Sequence, residues 1–258
     1  MPNISNKDLI WHQNAIVMFR NFCLAAITMY LFTGATCDPQ VMEDVLNTVM
    51  STTITDQEAS NGLIEALVQG ASNGSATLAK VDGYLKNPSV KIPFPPEAQK
   101  IETTLRDLGL NKMCDDVINS VNHAAEDAAA EAKPILVNSI RSMTFSDAMN
   151  ILMGADDAAT EYLKKTTTAQ LTAKFKPVID KSLSEVGATK YWSDAVNYYN
   201  KIPLVEDMNP NLSDYVTQKA LDGLFYMIEQ EELKIRQDPA ARASEIVQKV
   251  FGYYDTHK

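Results

Sequence analysis

The stretch from Leu212 to Gln237 contains no proline and carries its apolar residues at helical spacing. On a wheel of about 100° per residue, Val216, Ala220, Leu224, Met227, Ile228 and Ile235 form one broad stripe. Tyr215, Tyr226 and Leu233 form a second ridge on another side. A helix that is apolar on more than one side has to be enclosed by other elements. The remainder of the chain must therefore build a surround for it. With 258 residues, 45% of them apolar, there is enough material for that core.

The surround also reads as helical. Only 10 glycines occur, and few runs alternate apolar with polar residues. Thr55 with Glu58 is a capping box, which predicts a helix over 56–80 weakened by Gly70 and Gly74. Pro88, Pro93, Pro95 and Pro96 forbid helix and predict an extended connector. Helices follow over 97–108 and 111–132, the second with Val117, Ile118, Val121, Ala125 and Ala128 as its apolar stripe. Pro134 opens a short helix, and Thr144 with Asp147 caps another that Gly154 ends. Asp156 opens a helix that Lys164 and Lys165 close. Thr166 begins a further one, bent near Pro177 and ended by Gly187. One more runs up to Pro203. The last helix has Asp238 as its cap, Pro239 in its first turn and Gly252 at its end. The expectation is an all-α fold: a single bundle-like domain of about eight to ten helices over 55–252, with a short tail over 253–258.

The amino terminus has the layout of an export signal. Arg20 is followed by an apolar run from Phe22 to Phe32 and by the small residues Thr33, Gly34, Ala35 and Thr36. The run is shorter than the roughly 20 residues that a membrane span needs. Residues 1–36 are expected to be a signal peptide whose working start is Met18, with 37–54 as the first mature segment. Cleavage after Thr36 would expose Cys37 for lipidation. Gly34 and Thr36 stand where a lipoprotein signal has an aliphatic residue and a Gly, Ala or Ser, so two readings remain open. Either Cys37 carries a lipid anchor, the one route to a membrane, or the protein is secreted free. The expected location is the periplasm or the outer-membrane side of the cell envelope. The net charge of −10 leaves no basic footprint for a nucleic acid.

The runs "NPSVKIPFPP", "AEDAAAEAKPI", "MTFSDAMNIL", "DDAATEYL", "DYVTQKALDGLFYMI", "DPAAR" and "KVFG" occur in that order. Together they resemble a bacterial family catalogued as domain of unknown function 4197, over about 55–252. The resemblance implies a helical envelope protein, often with a lipoprotein-type signal. It supplies no activity and no catalytic residues.

The chemistry-bearing residues are few. Glu229 and Glu232 fall on the polar side of the long helix, Glu232 four residues before Arg236, and read as solvated acids. Glu231 falls inside the apolar stripe: either the helix leaves the core there, with Lys234 as partner, or Glu231 is a half-buried site carboxylate. His123 shares a polar face with Glu126 and Asp127, a pattern that solvated faces show far more often than metal sites do. Asp156 and Asp157 suit a helix start. Cys114 falls on an apolar face, and no metal-ligand spacing or cofactor loop occurs, so no metal and no cofactor are expected. Met143, Met149 and Met153 cluster near Phe145, as core filling or as the wall of an apolar groove. The reading is a non-enzymatic binding protein for a lipid-like ligand or a protein partner, with Glu231, Tyr226, Met149 and Met153 as candidate ligand residues. The alternative is a carboxylate-dependent enzyme using Glu231 with His123 or Asp157.

Overall fold

Thr55 opens the first helix as its sequence demands. Its hydroxyl accepts the amide of Glu58 at 3.2 Å, and its own amide donates to the Glu58 carboxylate at 3.0 Å. The computed structural model describes residues 54–107, 109–199 and 211–257. Among them are nine α-helices and no strand. They are α1 (Asp56–Leu78), α2 (Gln99–Asp107), α3 (Asn111–Ala129), α4 (Ala132–Arg141), α5 (Phe145–Leu152), α6 (Ala158–Glu185), α7 (Ala188–Tyr199), α8 (Leu212–Gln237) and α9 (Glu245–His257). The expected all-α architecture is the observed one. The signal, Cys37 and the segment 37–53 lie outside the described residues.

The helix with two apolar sides is central. α8 packs on α6, α1 and α3, and Val216, Ala220, Leu224 and Ile228 are buried along it. α6 runs antiparallel to it: Glu232 touches Ala159 and Thr160 near one end, and Lys176 pairs with Asp214 near the other. α6 buries every fourth residue from Ala159 to Leu183. That row is a ridge of the i±4 kind, inclined to the helix axis, so α6 meets different neighbours along its length.

One expectation is corrected here. The helix opened by Asp156 does not end at Lys165, and no new one begins at Thr166. α6 is continuous over 28 residues, with Pro177 inside it. The hydroxyls of Thr166, Thr167 and Thr168 donate to the carbonyls of Tyr162, Leu163 and Lys164, at 2.8, 2.6 and 2.6 Å. Bonded back in this way, a polar triplet is compatible with helix interior. The tail is corrected too. α9 passes through Gly252, and Tyr254 is buried.

α1 uses its glycines as contact points. A Cβ at Gly62 would lie 2.5 Å from Cγ2 of Val250 on α9, and one at Gly74 would lie 3.3 Å from the backbone of Ile228 on α8. The connector after α1 buries Val90, Ile92 and Phe94 in alternation. With no strand beside it, the backbone of Ile92 pairs with a side chain instead. Asn122 on α3 accepts the Ile92 amide at 2.8 Å and donates to the Ile92 carbonyl at 2.9 Å.

Candidate functional site

The three acids of α8 have three different surroundings. Glu229 lines a shallow polar depression of about 320 Å³ with Lys164, Gln218 and Tyr226. Glu231 is mostly covered, accepts Nδ2 of Asn73 on α1 at 3.0 Å, and stands 3.9 Å from Lys234. Glu232 is not the solvated acid that its wheel position suggests. Its carboxylate accepts the amides of Ala159 and Thr160 at 3.0 and 2.9 Å, and the Thr160 hydroxyl at 2.8 Å. The first turn of α6 therefore ends on it, where free amides and the helix dipole favour a negative charge.

Arg236 completes this cluster. Its Nε and Nη2 donate to Glu232 at 3.1 and 2.9 Å, and Nη2 also donates to the Ile151 carbonyl at the end of α5. Arg242 donates to the carbonyls of Ile235 and Arg236, closing α8, while Asp238 accepts the Ala240 amide. The cavity beside Glu232 and Arg236 measures about 10 Å³, room for one water at most. These charges hold helix ends together and leave no space for a ligand.

α3 carries a second buried carboxylate. Glu126 accepts the backbone amides of Asp82, Tyr84 and Leu85 at 3.2, 3.1 and 3.2 Å. Nδ1 of His123, one turn earlier, lies 2.8 Å from the same carboxylate. The polar face read from the sequence is thus divided: Asp127 is exposed, Glu126 is 4% exposed, and the imidazole is about half exposed between them.

His123 lines an open groove of about 680 Å³ between α3 and the carboxyl-terminal part of α6. Leu110, Met113, Val117 and Val186 give it an apolar floor, and Leu110, Met113 and Val186 are 41%, 43% and 56% exposed. Gly109, at φ +80°, turns the chain sharply between α2 and α3, so that Leu110 and Met113 face this opening. Ser182 lines the groove as well, but its hydroxyl donates to Asp127 at 3.1 Å.

The sequence-derived candidates do not converge. Tyr226 faces Lys164 and Thr168 of α6, whereas Glu231 faces Asn73 of α1, roughly 140° away around α8. Met149 is half-buried against the core, and Met153 is exposed past the end of α5. Asp157 precedes α6 and makes no side-chain cap there. Ala159 touches the neighbour of Glu231, while Ser182 shares the groove with His123. The 23 helical steps from Ala159 to Ser182 span about 35 Å along α6 and separate Glu231 from His123 by a distance of that order. The groove itself escaped the sequence reading. Its signal was Leu110 and Met113, which extend the stripe of α3 from Val117 back to and past the start of the helix, where the side chains are exposed.

A family described as "Protein of unknown function (DUF4197)" matches residues 53–252. The chain belongs to this family. The match begins two residues before the Thr55 cap and runs to Gly252, so the DUF4197 region contains the groove, both buried carboxylates and all of α1–α8. No curated protein and no solved structure matches the chain.

Proposed function

We propose that this DUF4197 protein is an exported, non-catalytic helical binding module, and that its groove between α3 and α6 takes an apolar ligand. The observation that carries the reading is the groove: about 680 Å³, with Leu110, Met113 and Val186 held open to solvent. That volume falls within the roughly 300–1,000 Å³ of small-molecule sites. Large side chains left exposed together on a rigid helical frame are the kind of patch that marks an interaction site. Export rests on the order Arg20, apolar run, small residues.

The test is to titrate the whole protein with a fluorescent fatty-acyl probe, beside Met113→Asp and Val186→Asp. Saturable binding by the native protein, lost in both variants while their helical circular dichroism is kept, is the expected result. Equal probe binding by all three would overturn the reading. Export is tested separately by intact-mass measurement on protein from its native host. The expected mature chain begins between Thr36 and Asp38, and a chain that retains Phe22 to Phe32 would refute it.

A further inference from the structure

We infer that the groove selects a single-chain amphiphile whose head group donates a hydrogen bond to Nε2 of His123. The inference rests on the groove being an apolar-ligand site and adds the chemistry of its polar end. It starts from Glu126. The carboxylate is buried, and its three backbone partners, the amides of Asp82, Tyr84 and Leu85, are all donors. An ionised carboxylate can only accept, so the imidazole nitrogen 2.8 Å from it carries a proton. In the neutral ring this fixes the tautomer: Nδ1 is the donor, and Nε2 keeps its lone pair.

The ring cannot easily turn to change this. Its orientation is set by a carboxylate that is itself held by three amides from another segment. The half-exposed ring lines the groove, and Nε2 has no partner among the described residues. Several neighbouring polar groups are already engaged. Lys112 bonds Asp116, the Ser120 hydroxyl donates to the Asp116 carbonyl, and the Ser182 hydroxyl donates to Asp127. The groove thus presents an oriented acceptor beside an apolar floor formed by Met113, Val117 and Val186. The complementary molecule has a hydrocarbon chain ending in a donor, of which a long-chain alcohol is the simplest.

Dodecanol and its methyl ether share the chain and the oxygen and differ in the donor. Binding of each to the native protein is measured calorimetrically at about pH 8. The alcohol is expected to bind about three- to tenfold more tightly, the ratio that one hydrogen bond supports. In His123→Phe the preference should vanish, whatever the absolute affinity of the two ligands for that variant. Glu126 keeps its three amide donors in that variant, and the comparison of ligands on native protein needs no variant at all. Equal affinities for alcohol and ether, or a preference that survives in His123→Phe, would overturn this inference and leave the groove as a plain apolar site. Binding of neither molecule would overturn the groove reading itself.

Discussion

The carboxylate of Glu232 on α8 accepts both the amide and the hydroxyl of Thr160 on α6, at 2.9 and 2.8 Å. The bond joins the last third of one central helix to the first turn of the other. Arg236 extends the same cluster to the end of α5, and Arg242 extends it to the turn before α9. Each group in it satisfies helix-end donors or acceptors that would otherwise be stranded in the core.

Removing the Glu232 charge should therefore be costly. Glu232→Gln leaves the Arg236 guanidinium buried without its counter-charge and replaces one acceptor atom by a donor. A loss on the order of 3 kcal/mol is expected, as for other broken buried pairs. Glu229→Gln and Glu231→Gln should each change stability by less than about 1 kcal/mol, because Gln at 231 can still accept from Asn73 and position 229 is open to water. Urea unfolding of the three variants checks this. A Glu232→Gln protein as stable as the other two would contradict the assigned role.

The start of α1 should report on acid. Glu58 accepts from Lys249 of α9 at 2.8 Å and from Thr55 in the capping box. The lysine first, and then the cap, lower its pKa from the usual 4.5 to about 2. A depressed folded-state pKa contributes stability that is present above the unfolded value and lost as pH falls through the folded one. The stability difference between native protein and Glu58→Gln should thus be full above about pH 4.5 and shrink toward pH 2. A difference that stays constant across that window would show that the tie does not titrate.

What was legible in the sequence was local. The capping partners Thr55 and Glu58, or Thr144 and Asp147, stand three residues apart, and the helix supplies the geometry. The stripe of α8 was equally plain, since 3.6-residue periodicity needs no knowledge of neighbours. Glu232 was misread because its partner Thr160 is 72 residues away, and a helix wheel cannot show that another helix will end on a polar face. The groove was missed for the same reason, being the meeting of α3 with a part of α6 some sixty residues later.

Asn122 should prove as important as a core leucine. Its side chain makes the only two hydrogen bonds described for the Ile92 backbone, in place of a neighbouring strand. Asn122→Leu keeps the volume but strands a buried amide and a buried carbonyl. A loss of about 2–6 kcal/mol is expected, from roughly 1–3 kcal/mol for each of the two stranded groups. Hydrogen exchange at the Ile92 amide should speed up well beyond that at core positions of α8 such as Leu224. Unchanged exchange at Ile92 would count against the pairing.

Two glycine-to-alanine substitutions should act in opposite directions. At Gly62 the new methyl would stand 2.5 Å from Cγ2 of Val250 and 3.0 Å from the Ile246 carbonyl, so α9 would have to move off α1. Overpacking of that kind costs roughly 1–3 kcal/mol. At Gly252 nothing lies within 4 Å of the added methyl, and the residue is inside α9 rather than past its end. There alanine only restricts the unfolded chain and favours helix, a gain of roughly 0.5–1 kcal/mol. Thermal unfolding of both variants tests the packing of α9 and its length together. Stabilisation by Gly62→Ala would mean that α9 does not rest on α1. Destabilisation by Gly252→Ala would mean that the last helix ends at Gly252, as its sequence suggested.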